Sequence, residues 1–537
     1  MSAVLVSGCL LVARAAIGVA GGSSPKASPP PAAVAVTASC PHDTVATRAG
    51  CVRGTVLGGV QAFLGIPYAA PPTGVRRWRP PEQPAAWSGV HDASQFGKAC
   101  PQDTQPRGTT TVTTDEDCLT VNVWAPHTAR PPRAVMVWIH GGGFTRGASS
   151  FPVYDGSQLA GDGDVVVVSL NYRLGALGFL SHPALSAEDS QHASGNYGLL
   201  DQVAALRWVA ANISAFGGDP GNVTIFGESA GGESVCALMA TPLAHGLFAR
   251  AIIESAQCVG DKVVPPLRNA PHGESGEQQG LRVAAQLGCP GSGADAASCL
   301  RGKSAADIIQ TTPGQLGFLG KGERYGLVID GTTLTDSPGE MLTAGKLARV
   351  PVLLGTNSDE GTLFTAAAHM QGLTPFAYAA AVAKVFPGHA REVLAHYRPA
   401  AYRDSGAALA ALITDYVFTC PARATARALQ RFQSHVYRYR FSHVTQASAS
   451  RHLGASHGDE IAFVFGTSPS PTDAERELSR TMRRYWSQFA RTGEPSNEDA
   501  WPAYDPAQDP YLELDTAIEP HDGLSTATCD FLDAVAP

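Results

Sequence analysis

The sequence predicts an α/β fold in which a largely parallel sheet is covered on both faces by helices. Three observations predict it. Short apolar runs rich in β-branched residues recur along the chain, longer Ala- and Leu-rich segments separate them, and no linker, repeat or low-complexity tract interrupts the order after Cys40. Strands separated by helices pair in parallel, and strands buried on both faces read as unbroken apolar runs. The runs at 135–139, 165–170, 223–226 and 350–354 have the length and composition of such strands. Segments 201–213 and 233–239, and parts of 376–397 and 475–491, have helical patterning.

Composition supports a large core. Hydrophobic residues make up 44% of the 537 and charged residues 16%, which excludes a disordered chain. The 57 Gly and 39 Pro supply long loops. The formal charge is -8 and there is no basic run, so a nucleic-acid partner is not expected. The length alone would allow several domains, but with no internal boundary residues 39–537 read as one.

Residues 1–20 are almost wholly apolar, and a Ser/Pro/Ala-rich stretch follows at 21–38. This reads as a secretory signal, cleaved after Gly18-Val19-Ala20, and a flexible segment, although a basic start is missing. Cys9 lies in a stretch similar to a lipoprotein box, but it comes early and more apolar residues follow. Arg14 interrupts the only candidate membrane span, so the expectation is a secreted protein without stable membrane insertion.

The first chemical motif is Gly227-Glu228-Ser229-Ala230-Gly231, directly after the strand signal at 222–226 and before a helical run. A sharp strand-to-helix turn of this kind exposes a serine hydroxyl at its tip, with glycines relieving the crowding. The second is His140-Gly141-Gly142-Gly143-Phe144, after the strand signal at 135–139. Glycines leave backbone N–H groups unshielded and able to face an oxyanion, so Gly142, Gly143 and Ala230 are the expected donors. A phosphate loop would continue with Lys and Ser or Thr, and this one does not.

These motifs sit among others. Glu116-Asp117-Cys118-Leu119-Thr120-Val121-Asn122-Val123-Trp124 and the segment from Phe216-Gly217-Gly218-Asp219-Pro220 to Gly231 resemble the two signatures of the type-B carboxylesterase/lipase family. Phe63-Leu64-Gly65-Ile66-Pro67-Tyr68-Ala69, Asn171-Tyr172-Arg173 and Gly195-Asn196-Tyr197-Gly198 match it in order. The resemblance implies an α/β-hydrolase fold and ester hydrolysis through an acyl-enzyme on Ser229. It also implies a catalytic acid, Glu360, in Asp359-Glu360-Gly361, with Asp359 as the neighbouring alternative. The implied base is His457, in His457-Gly458-Asp459-Glu460 before an apolar run. Glu228 matches a gorge position from which it could bias His457, or it could be a strand-end carboxylate making backbone contacts. Phe144 could line the pocket or pack the core.

The same resemblance implies disulfides Cys100–Cys118, Cys289–Cys299 and Cys420–Cys529. Cys40 and Cys51 are plausible partners without a family motif, Cys236 reads as buried and free, and Cys258 has no obvious partner. No Cys or His spacing suggests a metal, and neither a metal nor an organic cofactor is expected. Cholinesterases carry a tryptophan in the first disulfide loop whose ring face stacks on a quaternary ammonium. Residues 101–117 contain no aromatic residue, which favours a general carboxylesterase acting on small-molecule esters. The alternatives are a lipase, disfavoured by the polar loop, and a non-catalytic adhesion module, disfavoured by the intact triad. Two sequons occur, at Asn212 and Asn222.

Overall fold

The computed structural model describes residues 40–536 except 105–110, 128–131, 260–263, 316–320, 368–371 and 497–500. The expected signal at 1–20, the segment 21–38 and Cys9 lie outside the described residues.

Among the described residues, eleven strands form the central sheet. From one edge they run Thr55–Leu57, Val60–Pro67, Thr120–Pro126, Val166–Leu170, Arg133–Ile139 and Gly218–Glu228. The order continues through Arg250–Glu254, Val352–Asn357, Val436–Phe441, Pro510–Leu514 and Glu519–Asp522. From Val166–Leu170 to Pro510–Leu514 every pairing is parallel, and the pairings outside that block are antiparallel. This is the α/β-hydrolase fold.

The strand Arg133–Ile139 shows why the apolar runs are unbroken. Val135, Val137 and Ile139 enter the core on one face, while Met136 and Trp138 enter the core on the other. All five are fully buried, so neither face could accept a polar residue. The helices Tyr197–Asn212 and Ala230–Ala240 cover the first face. The amphipathic helix Asp473–Thr492 covers the second with Leu478, Met482, Trp486 and Phe489.

One described helix, Ser405–Gln430, is long and apolar enough to cross a membrane, but it is mostly buried within the fold. Its middle turn, Thr414–Thr419, is π-helical.

Disulfides join Cys40 to Cys51, Cys100 to Cys118, Cys289 to Cys299 and Cys420 to Cys529. A fifth joins Cys236 to Cys258 across a Cα–Cα distance of 5.3 Å. This corrects the expectation that Cys236 is free and Cys258 unpartnered. Cys236 faces inward from the helix after Ser229, and packing of that helix against the strand Arg250–Glu254 brings Cys258 beneath it.

The sequon amides are both engaged. Asn212 donates to Trp208 O and accepts from Arg48 N–H, each at 2.8 Å, and Asn222 accepts from Arg250.

Candidate active site

Ser229 stands alone between the strand Gly218–Glu228 and the helix Ala230–Ala240, with φ 56° and ψ -127°. A non-glycine residue held there is strained, and such strain persists only where the surroundings over-determine the backbone. The flanking glycines show what does so. A Cβ on Gly227 would lie 2.6 Å from the Gly231 backbone, and one on Gly231 would lie 2.0 Å from Ile139 O. Strand, helix and neighbouring strand meet too closely for any side chain at those positions. The turn is pinned further, because Ser229 N–H donates to Glu254 O at 3.0 Å and Glu233 N–H donates to Ser229 O at 2.9 Å. Ala230 opens the helix, where N–H groups have no intrahelical acceptor.

The glycine loop follows the strand Arg133–Ile139, which pairs with the strand that ends at Ser229. A Cβ on Gly141 would come within 2.8 Å of Glu228 Oε2 and 3.1 Å of Ser229 Cβ, so the loop lies directly on the serine turn. Gly142 adopts φ +107°, and its carbonyl accepts from the N–H groups of Thr145 and Arg146, both at 3.2 Å. His140 fixes the root of the loop. Its Nδ1 lies 2.9 Å from Gly141 O, its carbonyl accepts from Tyr172 OH at 2.9 Å, and the two rings stack at 4.5 Å. Burial holds the imidazole pKa down at about 4, so His140 is neutral at pH 7. Phe144 is buried in the core and packs on Phe179 with centroids 5.1 Å apart.

The turn after the strand Val352–Asn357 carries Glu360, fully buried. Its Oε1 accepts from Asn357 N–H at 2.8 Å, and its Oε2 accepts from His457 Nδ1–H at 2.6 Å. Asp359 points elsewhere, with Oδ2 accepting from Ala455 N–H at 3.1 Å. His457 Nε2 lies 3.1 Å from Glu228 Oε1, which puts the imidazole between two carboxylates. Burial pulls the His457 pKa down, but the charges of Glu228 and Glu360 outweigh it and raise the value to about 9. Burial raises Glu228 to about 7 against the opposing pull of His457. The rings of Phe364 and Phe418 each lie 5.0 Å from the imidazole.

Several groups behind Ser229, Glu360 and His457 do not stand out in the sequence. Asn357 Nδ2 donates to Ser456 O at 2.8 Å and to Glu460 Oε2 at 2.5 Å, tying the turn that bears Glu360 to the loop that bears His457. Glu254 accepts from Trp486 Nε1–H at 2.8 Å, and burial lifts its pKa to about 8. Burial likewise pushes Glu460 well up. Glu460 was visible as part of the His-Gly-Asp-Glu segment, whereas Asn357 and Glu254 are ordinary strand-end residues in the sequence.

Ser229, Glu360 and the glycine loop all follow the C-terminal ends of strands in the parallel block, with Arg250–Glu254 lying between the strands that lead to Ser229 and Glu360. Open α/β sheets form their ligand crevices at such ends.

A family model described as the carboxylesterase family matches residues 41–532. The para-nitrobenzyl esterase of Bacillus subtilis (strain 168) is 40% identical over 505 residues, covering 89% of this chain and 96% of the relative. The cholinesterase of Mus musculus is 36% identical over 531 residues, covering 88% and 83%. The fumonisin B1 esterase of Sphingopyxis macrogoltabida is 36% identical over 478 residues, covering 86% and 84%. With a fold, a family match and relatives that agree along its length, the chain belongs to the type-B carboxylesterase family and is a carboxylic ester hydrolase.

Proposed function

We propose that the protein is a serine carboxylesterase that works through an acyl-enzyme on Ser229. His457 takes the Ser229 proton as the oxygen attacks the ester carbonyl. The N–H groups of Gly142, Gly143 and Ala230 stabilise the oxyanion, because fixed dipoles aimed at developing charge need no reorganisation. The alcohol leaves with the proton from His457, and water then repeats the cycle to release the acid. Glu360 fixes the imidazole tautomer and stabilises its charged form.

One observation carries this reading: the 2.6 Å bond between His457 and Glu360, with the other ring nitrogen of His457 3.1 Å from Glu228, the residue that precedes a serine held at positive φ. The absence of any aromatic residue in 101–117 supports general carboxylic esters over choline esters. The disulfides are consistent with an exported protein, which fits the apolar start of the chain. A stopped-flow experiment with a para-nitrophenyl ester tests the mechanism. A burst of one nitrophenolate per enzyme, absent in Ser229→Ala, is the expected result. Unchanged turnover in Ser229→Ala would overturn it.

A further inference from the structure

Behind the residues assigned as acid and base lies a cavity of about 320 Å³ that the proposed reaction does not use. It is walled by the elements that hold the triad. Ser358, Asp359 and Thr362 come from the turn and helix around Glu360, and Leu453 and Gly454 come from the loop that leads to His457. Thr414 and Asp415 come from the π-helical turn that also sets Phe418 against the imidazole. π-helical turns inside α-helices frequently mark functional sites.

These walls are joined to one another. Thr362 Oγ1 lies 2.6 Å from both Asp359 O and Leu453 O, and a Cβ on Gly454 would meet Asp359 Cγ at 2.4 Å. A molecule wedged between them would press on the turn of Glu360 and the loop of His457 together.

The lining specifies the chemistry of the occupant. The inner wall offers acceptors. Asp359 and Asp415 each use one oxygen internally, on Ala455 N–H and Tyr397 OH, and the second oxygen of each has no hydrogen-bond partner among the described residues. The rim offers donors, with Arg451 and His452 exposed and without an ion pair among the described residues. His452 also holds a φ of 55°, a strained backbone at the mouth. Arg403 and Asp404 pair with each other at 3.2 Å and contribute no net charge. An anion would face the two carboxylates, and a cation would face Arg451. A neutral molecule dense in hydroxyls satisfies both, donating inward and accepting at the rim.

We propose that this cavity is a second, non-catalytic binding site for a small polyhydroxylated molecule, a sugar or a polyol, whose occupancy adjusts the esterase. The adjustment rests on the roles proposed for Glu360 and His457, whereas the binding does not.

Calorimetric titration tests it, with D-glucose as the ring sugar, xylitol as the open-chain polyol, and glycine and acetate as charged controls. Saturable binding of glucose or xylitol is expected. It should weaken about tenfold or more in Arg451→Ala and in Asp415→Asn, a change of about 1.4 kcal/mol. Binding should survive phosphonylation of Ser229, which blocks the gorge. Absence of saturable binding by both hydroxylated probes, binding only of glycine or acetate, or equal affinity in Arg451→Ala would overturn the site. Loss of binding on phosphonylation would place the molecule in the gorge and also overturn it. Arg451 is exposed, so its variant folds even if Asp415→Asn does not. If Ser229 resists labelling while glucose or xylitol still binds, the proposed esterase mechanism fails and the site stands.

Discussion

Nε2 of His457 lies 3.1 Å from Oε1 of Glu228, the residue immediately before Ser229. With Glu360 on the opposite ring nitrogen, the imidazole has a carboxylate at each end, and both favour its protonated form.

A base works only when neutral, so in the proposed mechanism activity rises as the pH exceeds the pKa of His457. The two carboxylates raise that pKa to about 9, and the acid limb of kcat/KM should therefore lie above the ordinary imidazole range near 6.5. Replacing Glu228 with Gln removes one favouring charge and should move the limb down by about one pH unit or more. A pH profile of kcat/KM for the parent and Glu228→Gln checks this. An unmoved limb would remove Glu228 from the electrostatics of the base.

Glu360 and Asp359 adjoin in sequence but diverge in space. Glu360 bonds His457 Nδ1–H at 2.6 Å, while Asp359 reaches back to Ala455 N–H. Glu360→Gln should lower kcat about 10³-fold or more by disturbing the tautomer, and Asp359→Asn should lower it far less. Steady-state kinetics on both variants, with circular dichroism to check folding, decide between them.

The glycines of the serine turn and of the glycine loop differ in what surrounds them. Gly231→Ala would force a Cβ to 2.0 Å from Ile139 O, whereas a Cβ on Gly143 meets nothing within 4 Å and suffers only from φ +61°. Gly231→Ala should destabilise by about 3 kcal/mol or more. Gly143→Ala should cost only about 1–2 kcal/mol. Denaturant midpoints measure both.

The Cys236–Cys258 bridge closes a separation of 22 residues, worth about 3 kcal/mol in the loop-entropy model. Alanine at both positions should lower stability by about that amount. Thiol titration of the denatured, unreduced protein should find no free thiol among Cys40 to Cys529. Two titratable thiols that map to Cys236 and Cys258 would contradict the bridge.

Legibility in the sequence followed how local each cause was. The run at 135–139 read correctly as a strand because both its faces are buried, so its composition alone carried the signal. The serine turn was legible because Gly227 and Gly231 are demanded by contacts within one turn and its neighbouring strand. The strand ending at Glu228 begins earlier than expected, at Gly218, because Gly218-Asp219-Pro220-Gly221 looks like a turn. The structure absorbs that stretch as a register shift between Gly218 and Val223. Helix Tyr197–Asn212 also starts before its predicted boundary, because Gly198 at its head packs against Phe179 and Arg173 O. Long-range relations were not legible. The Cys236–Cys258 pair and the Asn357–Glu460 bond join residues that only the packed fold brings together.

The central claim is that Ser229 is the nucleophile, activated by His457 and Glu360. Peptide mass spectrometry after treatment with a fluorophosphonate tests it most directly. Stoichiometric phosphonylation of the peptide that contains Ser229, with none in Ser229→Ala and slow labelling in Glu360→Gln, is the predicted result. An adduct on a different residue, or an unlabelled protein that still hydrolyses esters, would contradict it.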